Sequence, residues 1–464
     1  MPYLYPMKKL IPLLFLCACT HQPKTSGSPD SDLRYIPKNY VEIKHPEWSR
    51  NATIYQVNIR QFSQEGTFKA VEAQLPRLKD LGVDIIWLMP INPIGVEKRK
   101  GTLGSEYSVK DYLQVNSEFG TLNDLKSLIS AIHKSGMHVI LDWVANHSSW
   151  DNQLAKDHPD WYTKTPDGQF QPTPWYDWSD VIDFDYNVPA MRKYMTDAMK
   201  YWIREVDFDG FRCDAAGFIP LDFWENARKE LDEIKPVFML AEWESTDLYK
   251  KSFDMTYAWS LWDKLKEAAN SKGINGLVEY MAHDVNTIPS DAYRMTFTEN
   301  HDKNSWEGNQ FSNFHDALPA CMVFCSVVKG MPLIYNGQEA GLDRSLKFFD
   351  KDPIDWKPHP FADLYKKLFA LKHANHALWN GEAGAQMDRI FNDHQESVIS
   401  FARDKDSNRV IPLFNFSDKP LTVTLHDKFY AGTYKEYFSS KIYTLKGEDQ
   451  LALPAWGYLV LLKQ

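Results

Sequence analysis

One pattern constrains this chain more than any other: a short β-rich run followed by an amphipathic stretch, repeated along the middle of the sequence. The runs lie at Thr53–Ile59, Asp84–Leu88, His138–Leu141, Gly210–Cys213, Val237–Leu240, Phe253–Tyr257, Arg294–Phe297 and Pro332–Tyr335. Between them, helical spacing of apolar residues marks Phe68–Leu81, Leu122–Ser135, Pro189–Val206, Leu221–Ile234 and Phe314–Lys329. Strands that alternate with helices pair in parallel through right-handed crossovers, the hand that lets each helix pack back onto a twisted sheet. Eight such units over roughly 300 residues predict a (β/α)8 barrel. No sequence repeat underlies the pattern, so the repetition is architectural.

Two stretches depart from it. Residues 148–182, after the third strand, are rich in Asp, Pro, Trp and Tyr, and a connection that long is functional or a small subdomain. After about Ala383 the pattern turns to short alternating runs such as SVISFA, RVIPLFNF, LTVTL and GYLVLL. That alternation predicts an antiparallel β-sandwich domain over residues 383–464, appended to a barrel over 48–382.

The N-terminus reads as an address. Residues 7–20 are MKKLIPLLFLCACT, two lysines before an apolar run too short to span a bilayer. The ending Leu16-Cys17-Ala18-Cys19 resembles a bacterial lipobox, so residues 1–19 are expected to be a signal with Cys19 as the lipidated first mature residue. Cys17 is the alternative acceptor, and a plain cleaved signal the alternative reading. Residues 20–47 are expected to be a flexible tether, Ser, Pro and Gly being frequent near its start. The expected location is beyond the inner membrane, lipid-anchored at the periplasmic or outer-membrane face. Beyond the signal only Cys213, Cys321 and Cys325 remain, a spacing unsuited to zinc and expected to give buried thiols. The net charge of −10 argues against a nucleic-acid partner, since neutralising phosphates needs a basic surface.

In a barrel enzyme the reacting side chains project from the C-terminal ends of strands. Here the third strand runs into DWVANH (142–147), the fourth into GFRCDAAGF (210–218), the fifth into FMLAEWE (238–244) and the seventh into FTENHD (297–302). These ends gather Asp142, Asn146, His147, Arg212, Asp214, Glu242, His301 and Asp302 around one mouth. Three carboxylates with an arginine and two histidines suit glycoside hydrolysis. One carboxylate attacks the anomeric carbon and one carboxylic acid protonates the leaving oxygen. The arginine is expected to hold the nucleophile ionised, and apolar neighbours such as Leu240 and Trp243 to raise the acid's pKa. A metal-dependent barrel hydrolase would want a His-x-His strand end, and the strand ends show none.

The four stretches resemble the conserved regions of the α-amylase family, glycoside hydrolase family 13. IYQVNIRQF (54–62) resembles its first strand, LGVDIIWLMPINP (81–93) its second and GMPLIYNGQEAG (330–341) its eighth, while VIDFDYNVP (181–189) resembles the end of its inserted domain B. The resemblance covers about residues 48–380 and implies Asp214 as nucleophile, Glu242 as general acid/base and Asp302 as the group that holds sugar hydroxyls and stabilises the transition state. It further implies that Arg212 orients Asp214, that His147 and His301 bind the sugar, that Tyr107 in GSEYSVKDY (104–112) stacks on it, and that Asp142 braces the site. Trp143, Trp150, Trp175 and Trp178 are candidate sugar-lining rings. The implied activity is retaining hydrolysis of α-glucosidic bonds in starch, maltodextrins or related α-glucans, with no cofactor required. Glucanotransfer, a cyclomaltodextrinase- or neopullulanase-like activity and a non-catalytic glucan-binding protein are the alternatives. Many members hold a structural Ca2+; Asn146 and Asp183 match two of its ligand positions, but the family's Lys-His pair is replaced by Gly217 and Phe218.

Overall fold

The computed structural model describes residues 38–464. Signal, lipobox Cys19 and most of the tether lie outside the described residues. Eight parallel strands close a barrel in sequence order: β1 Ile54–Val57, β2 Ile85–Leu88, β3 His138–Trp143, β4 Gly210–Cys213, β5 Phe238–Ala241, β6 Met255–Tyr257, β7 Tyr293–Thr296 and β8 Met331–Tyr335. Ile54 pairs with Ile85 on one side and with Leu333 on the other, so β8 closes directly on β1. Runs such as Ile-Ile-Trp-Leu and Phe-Met-Leu-Ala are buried at every position, as they must be where the interior lies on one face and helices on the other.

The helices follow their local chemistry. The expected single helix over Phe68–Leu81 is two, Phe68–Glu72 and Leu75–Leu81, because Pro76 lacks an N–H and fits only the first turn of a new helix. Pro319 does the same downstream, so the expected Phe314–Lys329 helix starts at Leu318 and ends at Val327. Leu122–Lys134 opens on a capping box between Thr121 and Asp124.

Residues 148–182 leave the barrel after β3, with His147–Ser149 pairing antiparallel to Val181–Asp183 at the base of the insertion. The C-terminal region holds a six-stranded sheet and a two-stranded ribbon, Leu421–Thr424 with Gln450–Leu453. One apolar core runs from the barrel into this region, where Phe324 of the Leu318–Val327 helix meets Phe414 at 5.0 Å. The tether ends earlier than expected. Glu42 N–H bonds Lys250 O at 2.8 Å, and the His45 ring bonds Asp254 at 2.7 Å and stacks on Tyr293. A histidine that satisfies both ring nitrogens against the barrel belongs to the fold. Cys213, Cys321 and Cys325 are free, buried thiols.

Candidate active site

Arg212 lies on β4 with a side chain wholly shielded from solvent. A buried guanidinium needs partners for its five donors, and here they are three carboxyls and a tyrosine hydroxyl. Nη1 bonds Asp142 at 2.8 Å and Asp214 at 2.9 Å, Nη2 pairs with Glu242 at 2.9 Å, and Nε bonds the Tyr257 hydroxyl at 3.1 Å. Asp214 and Glu242, the ends of neighbouring strands, therefore share one guanidinium. The backbone between them is bent to the same end. Ala215 has φ of +43°, a left-handed conformation costing about 1–3 kcal/mol for a residue with a Cβ, and its N–H reaches Glu242 Oε2 at 2.7 Å.

Burial raises the Glu242 carboxyl well above its usual range. Asp214 and Asp302 push the same way and Arg212 pulls back. Asp214 is raised as well, again first by burial. The expectation that Arg212 holds Asp214 low is corrected here: the single cation is divided among three carboxyls in a site closed to water. Both carboxyls therefore keep a proton to higher pH than a free Asp or Glu, and they titrate as a pair.

Asp142 braces the floor. It accepts from Trp87 Nε1 and Tyr107 Oη, both at 3.0 Å, as well as from Arg212. The His301 ring lies between Gln56 Nε2 at 2.7 Å and Tyr107 Oη at 2.8 Å, and stacks on Tyr107 at 5.4 Å. Burial lowers both His147 and His301 to about 4, so both are neutral hydrogen-bonding groups at ordinary pH. Asp302 sits in the first turn of His301–Trp306, partly open to the cavity, with an oxygen 3.4 Å from His301 Nε2.

These groups line one cavity of about 670 Å3, walled by rings that include Trp178, Phe218, Trp243, Trp259 and Phe348. Tyr107, His147, Asp214, Glu242, His301 and Asp302 face it together, with Arg212 and Asp142 beneath. Three candidate rings do not take part: Trp143 is buried at the end of β3, Trp150 lies under the Lys98 ammonium, and Trp175 is 95% exposed outside the cavity. Gln56, Tyr257 and Phe348 were not singled out by sequence. Gln56 had a signal, a polar residue inside an otherwise apolar strand.

Residues 36–408 match the family described as alpha amylase, catalytic domain, and residues 389–461 match the alpha amylase C-terminal all-beta domain. The chain belongs to the α-amylase family of glycoside hydrolases. A crystal structure of a noncanonic maltogenic alpha-amylase from Thermotoga neapolitana superposes with a TM-score of 0.82 at 31% identity, over 89% of this chain and 98% of that one. The structure of an alpha-amylase from Lactobacillus plantarum gives 0.80 at 31%, over 90% and 100%. An alpha-amylase of Haloarcula japonica is 26% identical over 82% of this chain, which spans 57% of that protein's length.

The donor set does not fit the calcium ion that the α-amylase family implies. Asn146 Nδ2 faces Asp183 Oδ1 at 3.1 Å and Thr173 Oγ1 at 3.2 Å, and Thr173 donates to the same Asp183 oxygen. An amide N–H thus occupies the approach that a cation would need. Ca2+ takes six to eight oxygens, and among the described residues no three His, Cys, Asp or Glu side chains gather as ligands. Burial pushes Asp183 up to about 6, with only these two hydrogen bonds opposing. In this α-amylase relative, the place of the Lys-His pair is a turn, Ala216–Phe218, on which Trp243 lies flat. A Cβ at Gly217 would come within 2.1 Å of that ring.

Proposed function

We propose that this protein hydrolyses α-glucosidic bonds in starch, maltodextrins or related α-glucans with net retention, through a glycosyl-enzyme on Asp214. The observation that carries the reading is the pair of carboxyls on one guanidinium, both raised by burial, at the floor of a ring-walled cavity. Asp214 attacks the anomeric carbon while Glu242 gives its proton to the leaving oxygen. Glu242, now a carboxylate, takes a proton from the water that opens the intermediate. Tyr107 offers its ring to the sugar, and neutral His147 and His301 with Asp302 meet its hydroxyls. Arg212 and Asp142 position Asp214, and Asp142 also fixes the Tyr107 hydroxyl. NMR of the first product formed from maltotriose tests this. The α-anomer is expected first, and initial release of β-sugar overturns the reading. Product analysis on amylose, pullulan and cyclodextrin separates hydrolysis from glucanotransfer and from a cyclomaltodextrinase-like preference.

We further propose that the chain is exported and held to a membrane by acylation of Cys19, on the strength of its lipobox-like sequence. Among the described residues no helix is long and apolar enough to cross a membrane, so the proposal places the anchor on the lipid. The mass of the mature N-terminal peptide tests it: a diacylglyceryl addition at Cys19 supports the anchor, and an unmodified peptide overturns it.

A further inference from the structure

The cavity is bounded at one end by a segment that no barrel strand requires. Residues 95–104 rise from the connection after β2 and are pinned at three places. On the β8 side, Leu103 N–H bonds Phe349 O at 3.0 Å and Thr102 N–H bonds Asp350 at 3.0 Å. On the insertion side, Lys100 pairs with Asp177 at 3.4 Å and Asp180 at 3.6 Å, the Lys98 ammonium lies 3.0 Å above the centre of the Trp150 ring, and Val96 N–H bonds Asp151 at 3.1 Å. At the base, Arg60 holds Gly104 O at 2.9 Å. The backbone is shaped for the purpose. Gly101 has φ of +62°, and a Cβ there would lie 2.4 Å from Phe349 Cβ.

Position on the barrel gives this segment a direction. Glu242 follows β5 and must face the leaving group, so the leaving-group end of the cavity is the side of β4 and β5, where Phe218 and Trp243 stand. Phe348 and Phe349 follow β8, across the mouth from β4 and β5. Their end receives the sugars on the non-reducing side of the scissile bond. The segment ties that end to the insertion, and Lys100, Phe348 and Phe349 line the cavity there.

We infer that residues 95–104 are a strap that closes the donor end of the cleft, so that the protein removes short products from the non-reducing ends of α-glucans and does not cut chains internally. The inference rests on the hydrolase reading above and deepens it. A polymer cannot thread past a wall fixed on both sides, whereas a chain end can enter and stop against it.

The test compares p-nitrophenyl α-maltoheptaoside with the same compound blocked at its non-reducing end by a 4,6-ethylidene group. The unblocked compound is expected to be cleaved, and the blocked one at least about 100-fold more slowly, because the block collides with the wall. Lys98→Ala, Lys100→Ala and Asp350→Ala together remove side-chain anchors on both sides and are expected to raise the blocked-to-unblocked rate ratio about tenfold. Equal cleavage of the two compounds by the unaltered protein overturns the strap, and that comparison needs no variant to fold. No cleavage of either compound, nor of soluble starch, overturns the hydrolase reading first and this inference with it.

Discussion

At the scale of single residues the decisive fact is that one arginine serves three acids. Arg212 cannot neutralise Asp142, Asp214 and Glu242 together, so burial favours keeping a proton within the group. The proposed mechanism needs Asp214 ionised and Glu242 protonated. As pH rises, kcat/KM should therefore climb while Asp214 loses its proton and fall again when Glu242 loses its own. Because burial raises both groups, both limbs should lie above the ordinary ~3.9 and ~4.3 of free Asp and Glu. Asp214→Asn and Glu242→Gln should each cost about a thousandfold or more in kcat on a natural glucan, with the fold retained by circular dichroism. On an α-maltosyl fluoride, whose leaving group needs no proton, Glu242→Gln should recover much of the glycosylation step and lose the alkaline limb. An alkaline limb that survives in Glu242→Gln would assign the acid elsewhere.

At the scale of elements, structure and sequence part wherever side chains from distant segments decide the backbone. All eight strands were legible, because each is a short run buried on both faces, and their ends moved by two residues or fewer. The carboxyls gathered on Arg212 were legible for the same reason: they stand in or immediately after those runs. Pro76 and Pro319 carried readable information about where helices must start, which apolar periodicity alone overrode. The strap was not legible. Its shape depends on Phe349 and Asp350, some 250 positions away, and on Trp150 and Asp177 in the insertion. The clasp of Asn146, Thr173 and Asp183 was half legible, since Thr173 gave no signal of its own. It makes a prediction at this scale. If the clasp replaces a metal, melting temperature and hydrolysis should be unchanged by excess EDTA. Asn146→Ala, which strips the buried Asp183 of one partner, should cost about 1–3 kcal/mol whether or not Ca2+ is present. Denaturant unfolding with and without EDTA checks both, and a loss of stability in EDTA that added Ca2+ restores would show a metal at the clasp.

At the scale of the molecule the question is whether barrel and C-terminal sheet are two folding units or one. Arg403, on the strand Val398–Lys405, is fully buried without an acidic hydrogen-bond partner. Its guanidinium instead gathers main-chain oxygens: Val327 at 3.1 Å and Val328 at 2.9 Å from the end of a barrel helix, Trp379 at 3.2 Å and Ala385 at 3.1 Å from the connection between the parts. The last carbonyls of a helix have no partner within it, so an arginine from the next domain completes the barrel's own backbone. Burial lowers its pKa to about 9, with Asp284 opposing, and the charge is kept because those oxygens solvate it. Beside it, Phe401 and Phe414 close over Phe324. An apolar core continuous across the junction leaves neither part complete alone. Arg403→Met keeps the volume and removes the donors, leaving four buried carbonyls unpaired. It should lower stability by about 3 kcal/mol or more, yet still give a single calorimetric transition, because barrel and sheet lose the same contacts at once. Two separated transitions, with the upper one at the unaltered protein's melting temperature, would show that the barrel stands without the sheet. A single transition displaced downward would mean that the site at the mouth of β4 and β5 draws part of its rigidity from a domain that lines none of the cavity.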